Sequence, residues 1–349
     1  MTTTFNGFAL PDLDRAVANS APALDKLAGA AILITGGTGF FGQWLLATLI
    51  HANRTRGLGA ELIVLTRAPD RFRLSSPEIA ADSAVRLVAG DVRTFSLDVP
   101  RLTHVIHAAT DTSVEADARP LELMDTIVAG TRRVLEIARA AGALDVLFVS
   151  SGGVYGGQGE IERVPETYNG ACDPTDRRSV YGESKRLAEL LCTIYRTEHG
   201  LRPRIARCFA FVGPGMPLAA HFAIGNFVAD AIAGRTIEIK GDGTPMRSYL
   251  YAGDLAAWLL RALVLGKSGA AYNVGSDHGL SIREIAEAVA AAVPTAGGVK
   301  VHGVPQPGAF RSRYVPAVDR ARADLGAEVW TDLASAVVST AAWARARSK

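Results

Sequence analysis

A tyrosine and a lysine stand four residues apart in the segment Tyr181-Gly182-Glu183-Ser184-Lys185, which begins a long helical pattern. At this spacing both side chains lie on one face of a helix. An ammonium beside a phenol stabilises the phenolate and lowers the pKa of the phenol. Such a phenol can take the proton from a substrate hydroxyl as a general base. Because this spacing is common by chance on helices, its meaning depends on a second motif elsewhere in the chain.

That second motif is a glycine-rich segment after the apolar run Ala31–Thr35. A strand, a tight turn and a helix in this order form the context of a dinucleotide-binding loop. Its glycines make the turn, let the backbone approach a pyrophosphate and let the helix pack close to the strand. The helix N-terminus offers free N–H groups and the positive end of its dipole to phosphates. The residues predicted to contact the dinucleotide here are Gly36, Gly37, Thr38, Gly39, Phe40, Phe41 and Gly42.

Strand-like and helix-like segments alternate from Ala31 onward. The predicted strands are Ala31–Thr35, Glu61–Thr66, Val85–Ala89, His104–Ala108, Val146–Ser150 and Arg204–Phe209. The predicted helices are Gly39–Ala52, Pro120–Ala141, Tyr181–His199 and Ile282–Val293. This alternation predicts an α/β fold with a Rossmann-type doubly wound parallel sheet, which binds ligands at the carboxyl ends of its strands.

The expected organisation has three parts. Residues 1–29 form an N-terminal helical extension, which packs on the sheet edge or on a neighbouring subunit. Residues 30–212 form the dinucleotide-binding domain, to which residues 250–275 return. Most of residues 213–349 form a smaller C-terminal substrate-binding lobe.

The composition excludes several classes of function. The chain has 349 residues, 48% of them hydrophobic and 21% charged, with a net charge of +2, which is too mild to indicate a nucleic-acid partner. No apolar stretch is long enough to span a bilayer, and the first residues lack the pattern of a signal peptide. The seven histidines and three cysteines show no metal-ligand spacing. These features predict a soluble cytoplasmic protein with reduced cysteines and no bound metal.

The glycine loop preceded by Thr35, together with the Tyr181/Lys185 pair, resembles the extended branch of the short-chain dehydrogenase/reductase superfamily. The segment from Phe148 to Gly156, which ends in Val-Tyr-Gly, resembles that of nucleotide-sugar epimerases and dehydratases. The resemblance covers about residues 31 to 325 and implies an NAD(P) cofactor and a nucleotide-sugar substrate. It also implies that Ser151 is the third catalytic residue beside Tyr181 and Lys185, with Ser150 behind it.

The resemblance implies roles for further residues. Asp91 and Val92 match the adenine-contacting turn of the family. His107, Ala108 and Ala109 match the loop that lines the cofactor, and for His107 we favour packing over acid/base catalysis. Arg247 matches an arginine that grips the substrate diphosphate, as a bidentate guanidinium does well. The remaining predicted cofactor contacts are Ala108, Ala109, Tyr181 and Lys185. The predicted substrate contacts are Ser151, Gly152 and Asn226, and His221 is a further candidate.

Arg67 bears on the choice of dinucleotide, because it follows the second strand. An acidic residue at this position accepts hydrogen bonds from the ribose of NAD, whereas an arginine suits the 2′-phosphate of NADP. The alternative is that Arg67 and the nearby Arg71 and Arg73 are ordinary solvated arginines. The sequence favours NADP and leaves NAD open.

Two departures from the family pattern reduce the number of reactions that the protein is expected to catalyse. In 4,6-dehydratases two acidic residues follow the catalytic hydroxyl, and decarboxylases tend to keep a glutamate at the second of these two positions. In this chain the two positions are Gly152 and Gly153. In addition, Ile127 occupies a position that often holds asparagine near the active site. The leading interpretation is a nucleotide-sugar 4-epimerase that works through a 4-keto intermediate.

Three alternatives remain open: an NADPH-dependent nucleotide-4-keto-sugar reductase, a nucleotide-sugar dehydratase and a non-catalytic dinucleotide sensor. The sequence does not identify the sugar or the nucleotide base. The long helices at 120–141 and 181–199 predict a homodimer with a four-helix interface, as in relatives.

Overall fold

The structure is a computed structural model that describes residues 4–99, 101–110, 118–219, 222–294, 297–306, 308 and 311–347. The described strands are β1 (Thr4–Phe5), β2 (Phe8–Ala9), β3 (Ala31–Thr35), β4 (Glu61–Thr66), β5 (Val85–Ala89), β6 (His104–His107), β7 (Asp145–Ser151), β8 (Arg202–Cys208), β9 (Phe211–Val212), β10 (Ile237–Ile239), β11 (Met246–Arg247), β12 (Leu250–Tyr251), β13 (Ala271–Val274), β14 (Leu280–Ser281), β15 (Val299–Val301) and β16 (Arg313–Tyr314).

The described α-helices are α1 (Leu10–Leu24), α2 (Phe40–Arg56), α3 (Pro69–Ser75), α4 (Pro77–Ala80), α5 (Pro120–Ala140), α6 (Val180–His199), α7 (Ala223–Ile232), α8 (Ala252–Leu265), α9 (Ile282–Ala292), α10 (Asp319–Leu325) and α11 (Leu333–Arg347). Short 3-10 turns lie at Asp25–Leu27, Gly152–Tyr155 and Arg177–Ser179.

Seven strands form one parallel sheet in the order β13-β8-β7-β6-β3-β4-β5. Ile32, Leu33 and Ile34 on β3 are fully buried, because helices cover both faces of the sheet. The residues of α1, α2 and α8 pack into the hydrophobic core on one face, and those of α5 and α6 into the core on the other. The predicted Rossmann-type fold is confirmed.

The predicted element bounds agree closely with the structure, with small differences at the ends. β3, β4 and β5 have the predicted bounds, whereas β6 ends at His107, one residue earlier than predicted. Helix α2 continues beyond Ala52 to Arg56 and ends at Gly57, which adopts the left-handed conformation with φ 61° that is typical of a helix C-terminus.

The N-terminal extension lies in a helical layer of the sheet. Helix α1 is longer than the short helix indicated by the sequence, and it packs against α8 and α2 rather than on the edge of the sheet. Its buried Leu13 and Val17 join the core on that face, and the Asp12 carboxylate accepts a hydrogen bond from the Tyr251 hydroxyl at 2.8 Å. Packing on the sheet edge, one of the two locations expected from the sequence, is therefore wrong, whereas a contact with a neighbouring subunit stays a prediction.

The chain after β9 builds smaller sheets next to the main one. We call residues 222–251 and 280–316 the C-terminal lobe. It contains α7, α9, the parallel pair β10-β15 and the three-stranded sheet β14-β11-β16. Between its two segments, β13 pairs with β8 in the main sheet. No helix within the described ranges is long and apolar enough to cross a membrane.

Candidate active site

The glycine loop between β3 and α2 is packed tightly on one side and open on the other. A Cβ at Gly36, where φ is +73°, would lie 2.5 Å from the carbonyl oxygen of Ala108, and one at Gly42 would lie 2.3 Å from the carbonyl oxygen of Gly36. A Cβ at Gly39 would meet only the Gly36 carbonyl oxygen, at 3.4 Å. The open side at Gly39 and the N-terminus of α2 fit the predicted pyrophosphate site.

Tyr181 and Lys185 lie in the first two turns of α6. The Lys185 side chain is buried, and its Nζ donates hydrogen bonds to the Thr110 hydroxyl and to the Val149 carbonyl, both at 2.8 Å. The Nζ atom lies 5.9 Å from the centre of the Tyr181 ring. The ammonium is therefore held between the end of β7 and the segment after β6. Sequence reasoning missed Thr110, whose only signal was its position two residues after Ala108.

The predicted role of Lys185 in catalysis leads to an expected upper pH limit for activity. Burial lowers the pKa of Lys185 to about 8, so the ammonium is present below this pH and is lost above it. Because the ammonium stabilises the phenolate form of Tyr181, we expect kcat/KM to fall as the pH rises through about 8. A pH–rate profile of the cofactor-saturated protein checks this, and a profile that stays flat to pH 10 contradicts it.

Ser150 and Ser151 end β7 and have different partners. The buried Ser150 hydroxyl donates to Glu189 Oε1 at 2.6 Å, and Glu189 forms an ion pair with Arg207 at 2.7 Å. Ser151 Oγ accepts the Gly153 N–H at 3.0 Å, and the Tyr314 hydroxyl lies against the neighbouring Gly152. Ser150 is thus committed to a buried network, whereas Ser151 is the serine at the candidate site.

The glycines after Ser151 lie in contrasting surroundings. A Cβ at Gly152 would lie 2.8 Å from the Tyr314 hydroxyl and 2.9 Å from the Phe209 ring, so a side chain does not fit there. A Cβ at Gly153 would lie 3.3 Å from Ser151 Oγ and 3.6 Å from the Tyr181 ring. Gly153 therefore sits between Ser151 and Tyr181, and this brings two of the predicted catalytic residues to one place. Sequence reasoning gave Tyr314 no role.

His107 is a neutral, fully bonded side chain. Its Nδ1 lies 2.7 Å from the Thr35 hydroxyl and its Nε2 lies 3.0 Å from the Thr131 hydroxyl. Burial, aided by the charge of Lys185, lowers the pKa of His107 to about 3. These contacts agree with the packing role favoured by the sequence. Ala109, two residues later, donates its N–H to the Thr35 hydroxyl at 3.3 Å.

The predicted adenine-side residues lie at neighbouring strand ends. Asp91 accepts hydrogen bonds from Arg93, which hold the pKa of this carboxyl below its usual range, and the charge of Arg67 acts in the same direction. Val92 is buried, and a Cβ at Gly130 of α5 would lie 2.9 Å from it. Only the backbone of Val92 is therefore available to a ligand. Its contact with adenine stays a prediction.

Arg67 is exposed at the end of β4, where it can meet a 2′-phosphate. We expect Arg67→Ala to weaken NADP binding about tenfold while changing NAD binding little, because only NADP carries the phosphate. Titration of the protein with each dinucleotide checks this. Arg73→Ala is the matched control, since the exposed Arg73 forms an ion pair with Asp70 at 2.7 Å. Equal losses for both dinucleotides would contradict the assignment.

The predicted substrate residues are not all brought together. Arg247 on β11 pairs in register with Tyr314 on β16, and its guanidinium donates to the carbonyl of Met246 at 2.8 Å. Asn226 lies on α7 and is exposed, so its contact with substrate stays a prediction, and His221 lies outside the described residues. Ile127 is buried in the core between α5 and the sheet.

Comparison with known proteins identifies the family. The model of the NAD dependent epimerase/dehydratase family matches residues 32–275. The chain belongs to this family. It is 31% identical over 259 residues to UDP-glucuronic acid decarboxylase 3 of Arabidopsis thaliana, covering 74% of this chain and 73% of that protein.

Two solved structures extend the comparison of the fold. UDP-glucose 4-epimerase of Thermotoga maritima with UDP-glucose aligns with a TM-score of 0.75 at 23% identity, covering 91% of this chain and 100% of that one. A double mutant of DesIV, a dTDP-glucose 4,6-dehydratase of Streptomyces venezuelae with NAD bound, aligns with a TM-score of 0.74 at 26% identity, covering 90% and 96%.

Family membership confirms the expected enzyme class. The protein is an NAD(P)-dependent nucleotide-sugar epimerase/dehydratase-type enzyme of the extended short-chain dehydrogenase/reductase superfamily. Because the family is NAD-dependent, the protein uses a nicotinamide dinucleotide. The preference for NADP that Arg67 indicated stays a prediction, as do the individual site residues.

Proposed function

We propose that the protein is a nucleotide-sugar 4-epimerase that keeps its dinucleotide through each turnover. The glycine loop from Gly36 to Gly42 would hold a nicotinamide dinucleotide, which would supply hydride transfer to and from sugar C4. The chain's own residues handle the proton and the oxygen at C4. Arg247 binds the diphosphate of the substrate, as proposed from the sequence.

In this mechanism Tyr181 takes the proton from the C4 hydroxyl and later gives it back. Lys185, hydrogen-bonded to Thr110 and Val149, keeps its ammonium close to the Tyr181 ring and favours the phenolate. Ser151 donates a hydrogen bond to the same sugar oxygen while it has carbonyl character. No further acid or base is required for epimerisation.

One observation carries the choice of reaction: Tyr314 and Phe209 fill the space beside Gly152, where a dehydratase keeps an acidic side chain. Two nearby carboxylates on α6 are engaged elsewhere. Glu183 accepts the Cys172 N–H at 3.2 Å, and Glu189 binds Arg207 and Ser150. Without a carboxylate at position 152 or 153, water elimination or decarboxylation by the usual route lacks its proton carrier.

The test incubates the protein, without added cofactor, with UDP-glucose, dTDP-glucose and UDP-glucuronic acid in turn and follows the products by NMR. We expect interconversion of C4 epimers in at least one case, and NAD or NADP in the mass spectrum of the denatured protein. Loss of carbon dioxide from UDP-glucuronic acid would overturn the proposal in favour of the activity that the Arabidopsis relative's name states.

The second candidate is an NADPH-dependent nucleotide-4-keto-sugar reductase. The exposed Arg67 at the end of β4 favours it, because a 2′-phosphate site suits an enzyme that draws on NADPH. It predicts reduction of a dTDP-4-keto-sugar at the expense of one equivalent of NADPH per turnover. Strict dependence on added NADPH, with no epimer formed in its absence, would favour the reductase.

We further propose a homodimer formed by α5 and α6, which pack side by side. Leu121 and Met124 on α5 are 74% and 40% exposed, and Leu187 and Leu190 on α6 are 45% and 54% exposed. Each pair is spaced to share one helix face, so two copies can bury both pairs across a two-fold axis.

We expect Leu190→Glu to convert this dimer to a monomer, because the interface would have to bury an unpaired carboxylate. Light scattering after size-exclusion chromatography measures the mass. Val338→Glu is the control, since Val338 is 51% exposed on α11, away from α5 and α6. A monomeric unchanged protein would refute the dimer.

A further inference from the structure

A cavity lies at the edge of the main sheet where the strands begin. Its volume is about 330 Å³, and it is lined by Lys26, His104, Asp145, Arg202, Arg204 and Val264. Asp145 begins β7 and Ser151 ends it, so about 20 Å separates the cavity from the candidate active site. The cavity is therefore a separate feature of the molecule.

The pairing of the strands places the charged residues of this cavity on one face of the sheet. His104, Asp145 and Arg202 are the first residues of β6, β7 and β8 and stand side by side in register. Arg204, two residues further along β8, lies on the same face because side chains alternate along a strand. Lys26, in the turn after α1, lines the cavity from the helical layer that covers this face.

The cavity has an excess of positive charge. Burial opposes ionisation of Asp145, but hydrogen bonds from Arg202 and Arg204 outweigh it and lower the pKa of this carboxyl. The single carboxylate offsets one of the three cationic side chains that line the cavity, which are Lys26 and the two arginines. Two positive charges remain for an anion that enters the cavity.

Two of these cations have donors that the protein itself does not use. Arg204 is only 7% exposed, and its Nε donates to the Gly266 carbonyl at 2.9 Å and its Nη1 to the Arg202 carbonyl at 2.7 Å. Within the described ranges, the Nη2 of Arg204 has no acceptor, and neither has the ammonium of Lys26. A guanidinium that the fold already fixes loses little conformational freedom when it binds an anion.

His104 adds a further donor when it takes up a proton. Its Nδ1 lies 2.8 Å from the Thr103 hydroxyl, which donates its own proton to the Ala31 carbonyl at 2.9 Å. Nδ1 must therefore carry a hydrogen, and Nε2 is the nitrogen that titrates. Burial lowers the pKa of His104, the charge of Asp145 opposes this effect, and the two arginines add to it. An anion in the cavity would favour the protonated form.

We propose that this cavity is a binding site for a phosphate dianion, either inorganic phosphate or the phosphate group of a small monoester. Lys26, Arg204 Nη2 and protonated His104 would each donate to its oxygens. A dianion matches the two excess charges, and a tetrahedral group can accept from donors on three separate elements. The ligand is small, because ligand pockets span about 300–1,000 Å³ and this cavity is near the lower limit.

The first test titrates the dinucleotide-saturated protein with inorganic phosphate in a calorimeter. We expect a Kd in the millimolar range or below, which Lys26→Glu should raise about tenfold or more because it reverses a charge at the cavity. Lys26 is exposed and has no bond within the described part of the chain, so its replacement should not disturb folding. Lys240→Glu is the matched control, since Lys240 is an exposed lysine after β10 in the C-terminal lobe.

The same titration with glucose 1-phosphate distinguishes the two sources of the ligand. Tighter binding than that of inorganic phosphate assigns a monoester, and equal or weaker binding assigns the free ion. Phosphate binding that Lys26→Glu leaves unchanged would place the ion elsewhere and overturn the proposal, as would a protein that binds no phosphate. Neither result depends on turnover, so the site is tested separately from the proposed 4-epimerase.

The second test uses sulfate, which stays a dianion between about pH 5 and pH 8, where histidine titrates. We expect the unchanged protein to bind sulfate several-fold more tightly at the lower pH, because His104 then carries a second proton. His104→Asn keeps an amide N–H to donate to Thr103 but has no nitrogen that titrates, so its sulfate binding should not vary with pH. An equal pH dependence in both proteins would overturn the proposal.

Discussion

Tyr181→Phe should lower kcat about 10²–10⁴-fold, because it removes the group that transfers the proton and nothing else. The phenylalanine keeps the ring that lies 3.6 Å from the Cβ position of Gly153 and 5.9 Å from Lys185 Nζ. Folding and dinucleotide binding should therefore change little. Steady-state turnover and a dinucleotide titration on the same preparation measure the two effects separately.

Tyr195→Phe is the matched control for this prediction. Tyr195 lies on the same helix, but its hydroxyl is 3.5 Å from Glu136 Oε1 on α5. We expect its removal to leave kcat unchanged. A Tyr181→Phe protein with more than a tenth of the original kcat would show that another group carries the proton.

Gly42→Ala should destabilise the protein even before any ligand binds. The added Cβ would lie 2.3 Å from both the Gly36 carbonyl oxygen and the Gly37 Cα, which are backbone atoms that cannot move aside singly. Overpacking of this kind costs about 1–3 kcal/mol in unfolding free energy, and here α2 must shift away from the loop. Urea unfolding of the dinucleotide-free protein measures the loss.

Gly39→Ala provides the contrast, since its Cβ would meet only one atom, at 3.4 Å. We expect the dinucleotide-free protein to keep its stability but to bind NAD(P) at least about tenfold more weakly, because the methyl group would occupy the approach of the pyrophosphate. If Gly39→Ala bound the dinucleotide normally, the pyrophosphate would not lie over this glycine.

The sequence predicted the central sheet well, because buried parallel strands are short apolar runs bounded by turn residues. The run Ala31–Thr35 and the glycines after it identify β3 and the start of α2 without reference to distant residues. The packing of α1 was predicted poorly, because it depends on residues far away in the sequence. Its partner α8 lies far along the chain, and no local pattern in residues 10–24 indicates that contact.

The residues of the candidate site also fall into two groups, those that the sequence indicated and those that it did not. Helical spacing places Tyr181 and Lys185 on one face, whereas their catalytic role and that of Ser151 come from the resemblance to nucleotide-sugar epimerases and dehydratases. Thr110 and Tyr314 could not be predicted, because Thr110 accepts a hydrogen bond from the distant Lys185 and Tyr314 lies against the distant Gly152. A single hydroxyl carries no periodic signal, so only the folded geometry relates it to the site.

The contact between α1 and α8 has a consequence for biosynthesis. The apolar face of α1 is synthesised before α8, which packs on it and follows more than two hundred residues later. At typical rates of translation this delay is on the order of ten seconds or more. During this interval the nascent chain carries the face of α1 that α8 will bury, and chaperones can reach that face until α8 is made.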